Sequence, residues 1–178
     1  MAVQRDDPHD RQLLARLAAG EGEALGELYD RHIASLYRHA CGLTKRREEA
    51  DDLVQAVFVK LATIGAALLG VRKPASYLHR MLRTTWLDAQ RRRVLRSEQS
   101  IESGPQSDGG VQPRLDSGLD TERALAVLSD DQREVVALHV LAGFSLRETG
   151  RITGVSTFTA ASRYRLALAR MRKFLEGR

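Results

Sequence analysis

Residues 145–165 read SLRETGRITGVSTFTAASRYR, and this stretch decides the fold of the C-terminal third of the chain. Ser145 with Glu148 three positions later has the form of a capping box, in which each side chain satisfies the other residue's free backbone N–H at a helix start. The helix so opened stops at Gly154, which can take the left-handed conformation that a tight turn needs. Ser156 then caps a second helix. A short helix, a glycine turn and a second helix at this spacing form the helix-turn-helix pattern, although plain packing pairs share the shape. Gly150 is small where the two helices cross, and Val155 and Ala160 can fill the space between them. The second helix would then present Thr157, Phe158, Ala161, Ser162, Arg163 and Arg165. Its first turns suit a DNA major groove, where arginine reads guanine or grips phosphate. Arg170, Arg172 and Lys173 extend the basic run, with no acid between Glu148 and Glu176.

Upstream, Thr121–Leu128 and Asp130–Leu141 read as two further helices, the second ended by Gly143. The helical bias runs through the whole chain. It has 178 residues with 25 Leu and 22 Ala against 12 Val and 4 Ile, a balance that favours helix over strand. Its four prolines leave 9–73 and 114–178 uninterrupted, and the fold class expected is all-α. A hydrophobic fraction of 43% beside 29% charged residues fits a soluble, core-forming chain. Apolar runs fall far short of the ~20 residues that cross a bilayer, and no secretory signal is expected. One cysteine, Cys41, excludes an intramolecular disulfide and a cysteine zinc cage. These features point to the reducing cytoplasm.

The net charge of +5 is unevenly placed. Residues 1–96 and 121–178 are both basic. Residues 97–120, SEQSIESGPQSDGGVQPRLDSGLD, carry five acids against one arginine, and 11 of the 24 are Gly, Ser or Pro. Such a segment cannot bury enough apolar surface to offset its ordering entropy. It reads as a flexible acidic linker between two small helical domains, 1–96 and 121–178, or else as a long surface loop of one domain.

The first domain reads as four helices. Asp10 is expected to cap the first, which stops at Gly20. The second spans about Glu23 to Leu43, with Leu25, Leu28, Tyr29, Ile33, Leu36, Tyr37 and Ala40 on one stripe. The third, REEADDLVQAVFVKLA, turns Leu53, Val54, Val57, Phe58 and Leu61 inward. Its early carboxylates suit the helix dipole, yet Asp52 and Gln55, three apart, could share a contact face. After an apolar connection, TIGAALLGVRK, Pro74 begins a fourth helix, PASYLHRMLRTTWLDAQRRR. Residues 72–96 hold eight basic groups against one acid, Asp88. Arginines interleaved with Tyr77 and Trp86 suit melted nucleic acid, and equally suit a solvated, dipole-complementing helix end.

Taken together these segments resemble a known family. EEADDLVQAVFVKL is similar to the core-binding helix of region 2 in sigma-70-type RNA polymerase sigma factors. PASYLHRMLRTTWLDAQRRR resembles the promoter-melting and minus-ten-recognition helix, and the 128–171 segment resembles region 4, which binds the minus-thirty-five element. With two domains and a short linker, the chain looks like the extracytoplasmic-function subfamily. The resemblance implies that Asp52, Leu53, Gln55 and Phe58 meet core RNA polymerase. It implies that Arg80, Arg83, Trp86, Arg91, Arg92 and Arg93 meet melted minus-ten DNA, and that Thr157, Phe158, Ser162, Arg163 and Arg165 meet double-stranded minus-thirty-five DNA. It also implies an anti-sigma factor as partner. Four positions depart from the pattern. Ala56 stands where an acid is usual, Thr84 where Asn is frequent, and Thr149–Gly150 where Ile-Ala is usual. The TIGAALLG loop lacks polar residues for gripping a flipped base.

Two other function classes compete with this one. A stand-alone helix-turn-helix regulator would leave the Asp52–Gln55 face without a purpose. An enzyme would need a nucleophile–base pair, a phosphate loop or a metal site. The five histidines (His9, His32, His39, His79, His139) show no metal-ligand spacing, so no catalytic residue, metal or cofactor is expected. They read instead as surface or interfacial residues, and Cys41 as half-buried packing.

Overall fold

The computed structural model describes residues 7–44, 46–99 and 119–176. Most of the proposed linker, 100–118, lies outside the described residues. Those described form eight α-helices: α1 Pro8–Ala18, α2 Glu23–Leu43, α3 Arg47–Thr63, α4 Pro74–Gln99, α5 Leu119–Ala126, α6 Asp130–Val136, α7 Leu146–Thr153 and α8 Thr157–Glu176. No strand occurs among them, and none of these helices is long and apolar enough to cross a membrane.

The first half, α1 to α4, is built around Leu13, Leu14, Leu28, Leu36, Val57, Leu61, Leu78 and Leu82, all essentially inaccessible. The apolar connection after α3 forms a short 3-10 turn, Gly65–Gly70, that buries Leu68 and leaves Leu69 exposed. The segment is thus a connection buried at Leu68 and not an extension of α3.

The start of α1 corrects one expectation. Asp7, not Asp10, is the cap, accepting from the His9 amide at 2.9 Å, with Pro8 in the first turn. Asp10 is instead buried, accepting from Arg31 Nε at 2.6 Å and lying 2.9 Å from His32 Nε2. Burial raises a carboxyl pKa, but the hydrogen bonds and charges of His32 and Arg31 outweigh it and hold Asp10 below its ordinary value.

In the second half α6 gives way to a π-helical segment, Ala137–Leu141, so the single helix expected over 130–141 changes its winding midway. The widened turn ends where His139 Nδ1 meets the Phe144 carbonyl at 2.6 Å.

The two halves pack directly on one another: α2 meets α6 and the π segment, and α4 meets α7. Ala75 of α4 joins an apolar cluster with Leu138, Ala142, Phe144 and Ile152. Gly42, late in α2, fits only because it lacks a side chain. A Cβ there would overlap that of Ala137, with the Arg133 carbonyl oxygen the next nearest atom at 3.5 Å, both in the second half.

Candidate nucleic-acid interface

The helix-turn-helix forms as its sequence dictates. Ser145 and Glu148 make both bonds of the capping box, the Glu148 carboxylate accepting from the Ser145 amide at 2.9 Å. Gly154 has φ 76°, the left-handed region. Ser156 Oγ accepts from the Thr159 amide at 3.0 Å and opens α8. Gly150 lies at the crossing, where an added Cβ would sit 2.8 Å from the Val155 carbonyl oxygen. The missing methyl is therefore what lets α7 and the turn approach, and it is a fitted feature of this motif.

Ala160 and Ala167 turn α8 inward. Thr157, Phe158 and Arg165 are exposed, Phe158 at 77%. Ser162 and Arg163 are half-buried. The Arg163 guanidinium is drawn back to Asp131 of α6 at 2.6 Å, so it is not a free cation in this arrangement. Gln132, whose side chain completes the capping box of α6, also accepts from Arg170 at 3.0 Å, tying α8 to α6.

On α4, Arg80, Arg91, Arg92 and Arg93 are exposed, and Trp86 is half-buried. Arg93 reaches Glu49 of α3 at 3.0 Å, and Arg91 lies 3.5 Å from Asp88. Between α3 and α4 runs a groove of about 220 Å³ whose lining includes Glu49, Asp52, Trp86, Arg92 and Arg93. Trp86 Nε1, buried nearby, has no hydrogen-bond partner.

On α3, Asp52 and Gln55 are both exposed, whereas Leu53 and Phe58 are buried in the core and support that face from beneath. Phe58 also packs its ring 4.9 Å from that of Tyr29. A second depression, between α2 and α3, has Tyr29, Ile33, Asp51 and Gln55 on its walls.

Arg83 lies elsewhere than sequence reading would place it. Its Nε donates at 2.8 Å to Glu134 of α6, a carboxylate that is 3% exposed. His39 Nε2 is 3.6 Å from the same oxygen, near enough for charge but too far for a hydrogen bond. His39 and His79 meet Nδ1 to Nδ1 at 3.1 Å, and His79 Nε2 lies 3.1 Å from Ser35 Oγ. With both rings neutral, His79 can donate to His39 Nδ1 and accept from Ser35, which leaves His39 Nε2 buried without a hydrogen-bond partner. Burial pushes both imidazoles below their ordinary pKa, His79 strongly, against the partial opposing pull of Glu134 on His39.

These contacts correct two expectations. His32, His39 and His79 are buried, and two of them pair in space though 40 positions apart; Cys41 is exposed, not half-buried. No group of three or more His, Cys, Asp or Glu able to hold a metal occurs among the described residues. Sequence reading missed Glu134 altogether. A lone acid on a helix carries no local signal of a partner 51 positions away.

Comparison with known proteins covers both halves. The family model of sigma-70 region 2 matches residues 28–96, and that of sigma-70 region 4 matches 119–171. The ECF RNA polymerase sigma factor SigM of Mycobacterium tuberculosis is 30% identical over 172 residues, covering 96% of this chain and 87% of that one. The RNA polymerase sigma-E factor of Streptomyces avermitilis is 30% identical over 165 residues, covering 91% and 90%. Among solved structures, CnrH in complex with the cytosolic domain of CnrY matches with a TM-score of 0.68 at 26% identity, over 94% of this chain and 97% of that one. The sigma factor RpoE of Bartonella quintana, in complex with the anti-sigma factor NepR, matches with a TM-score of 0.67 at 26% identity, over 84% and 97%.

Proposed function

The chain belongs to the sigma-70 family of RNA polymerase sigma factors, in its extracytoplasmic-function subfamily, and from that premise we propose how its two halves divide the work. The exposed Asp52–Gln55 face of α3, supported by Leu53 and Phe58, docks on core RNA polymerase. Arg80, Arg83 and Arg91 to Arg93 of α4 grip the phosphates of the melted minus-ten strand, and Trp86 offers a stacking surface beside them. The first turns of α8 enter the major groove at the minus-thirty-five element, with Thr157, Phe158, Ser162, Arg163 and Arg165 toward the duplex. Segment 97–120 tethers the halves. The protein works in the cytoplasm as a polymerase subunit with no chemistry of its own, and an anti-sigma factor is its further partner; one solved neighbour, the sigma factor RpoE, is in complex with the anti-sigma factor NepR.

The observation that carries this reading is that one chain of 178 residues holds both region matches, in order, over most of its length. The stand-alone regulator is not favoured, because the relatives aligned across both halves are polymerase sigma factors. The polymerase contact is tested by Asp52→Ala. Its exposed carboxylate serves α3 only through the helix dipole, so thermal stability stays within ~1 kcal/mol of wild type while affinity for core polymerase falls. A large stability loss with intact binding would reverse the assignment.

A further inference from the structure

One large apolar side chain stands where the second helix of a helix-turn-helix first meets its groove. Phe158 is the second residue of α8 and, at 77%, the most exposed large hydrophobic residue among those described. A scattered exposed apolar residue calls for no explanation by itself. The placing of this one does. Ala160 and Ala167 are fully buried and fix the roll of α8 against the core. At about 100° per residue, Phe158, Ser162 and Arg165 fall between about 140° and 200° round the helix from Ala160, the side turned away from the core. Leu166, Leu168 and Leu175 are exposed as well, but they follow in later turns, past those that reach base edges in this motif.

The chemistry of the ring narrows what it can read. A benzyl group offers no conventional donor or acceptor, so it gains nothing from the N7, O6, O4 and amino groups along the major-groove edge. Pressed against one of those groups, it would strip away water and return no hydrogen bond. The apolar group on that edge is the C5-methyl of thymine, and burying it against a ring is favourable. Attraction to one base and a penalty at the others act in the same direction. Arg165 lies about 10 Å further along the same side of α8, so it addresses a separate step of the duplex.

We propose that Phe158 sets specificity at one position of the minus-thirty-five element by reading the C5-methyl of a thymine in a T·A pair. The proposal rests on the reading of α8 as the minus-thirty-five helix.

Holoenzyme assembled from core polymerase and the full chain selects from duplexes in which the minus-thirty-five segment of a transcribed genomic fragment is randomised. Wild type should fix a T·A pair at one position, and Phe158→Ala should lose that preference while keeping the others. Deoxyuridine in place of that thymine removes only the methyl. It should weaken wild type about fourfold, the factor for one buried methyl group, while Phe158→Ala binds the two duplexes equally. The substitution takes nothing from the core, so Tm and association with core polymerase should match wild type. The uracil comparison on wild type needs no variant at all. An element with no fixed T·A pair, uracil bound as tightly as thymine, or a Phe158→Ala protein that still tells them apart would each overturn the assignment. Failure of the underlying reading shows separately, as a randomised segment from which wild-type holoenzyme enriches no sequence.

Discussion

Replacing Gly150 by alanine sets two effects of known size against each other. Gly150 lies inside α7, where alanine is favoured over glycine by up to ~1 kcal/mol. The added Cβ, however, would stand 2.8 Å from the Val155 carbonyl oxygen and 3.4 Å from the backbone of Ser156. Neither neighbour can rotate aside. The Val155 amide donates to the Gly150 carbonyl at 2.9 Å, so turn and helix are already locked together. Overpacking of this kind costs about 1–3 kcal/mol, and rigid backbone neighbours put this site in the upper part of that range. The expected net loss is about 1–2 kcal/mol, a fall in Tm of roughly 2–8 °C for a chain of this size. Because the strain is relieved by tilting α8, binding to minus-thirty-five duplex should also weaken. Gly26→Ala is the matched control. It is exposed within α2 with nothing within 4 Å of a new Cβ, so the same substitution should raise Tm by a few degrees. Thermal unfolding of both variants decides the matter. A Gly150→Ala protein stabilised as much as Gly26→Ala would refute the close approach.

Other perturbations act on charge. Asp10→Asn removes the carboxylate that pairs buried His32 and anchors Arg31, and should cost about 3 kcal/mol in denaturant unfolding, near the low end for a broken buried pair because Arg31 reaches solvent. Because the Asp10 pKa is lowered on folding, its contribution is complete above about pH 4 and is lost as pH falls further, so Asp10→Asn should flatten the acid limb of the stability curve. The buried His39 and His79 have lowered pKa values as well. Their contribution is present above the ordinary imidazole pKa, about 6.5, and fades as pH falls below it. Protonation there adds charge beside Arg83 and Arg38, opposed at His39 by Glu134, and scattering from pH 7.5 to 5.5 should show the halves separating. Arg163→Ala breaks the pair with Asp131 and removes a proposed groove contact. Minus-thirty-five binding should fall with polymerase association unchanged, whereas equal loss of both would indicate misfolding.

What could be read in the sequence was local. The capping box of Ser145 and Glu148 and the left-handed turn at Gly154 depend on residues within a few positions of each other, and both form as written. The inward stripe of α3 likewise follows from periodicity alone, whereas in α2 Leu28, Leu36 and Ala40 turn inward together with His32, Ser35 and His39, and Tyr29 of the expected stripe is exposed. Asp10 misled for the same reason. It has the chemistry of a helix cap, but Asp7 before Pro8 takes that place, and the partners that make Asp10 a core residue lie 21 and 22 positions ahead. The meeting of the halves was not legible at all. Gly42 and Ala75 look like ordinary small helical residues until Ala137 and Phe144 are placed against them. Of the residues expected at the DNA and polymerase faces, most are exposed as such roles require. Arg83 and Arg163 are drawn into ion pairs by carboxylates that no spacing rule connects to them.

In the proposed function this chain gives core RNA polymerase its choice of start site. Run-off transcription on a library of genomic fragments, using polymerase freed of other sigma factors, tests it most directly. Added chain should produce discrete transcripts that share two upstream elements separated by a fixed spacing, and Asp52→Ala should reduce them. Transcripts that are absent, or unchanged when the chain is left out, would contradict the account.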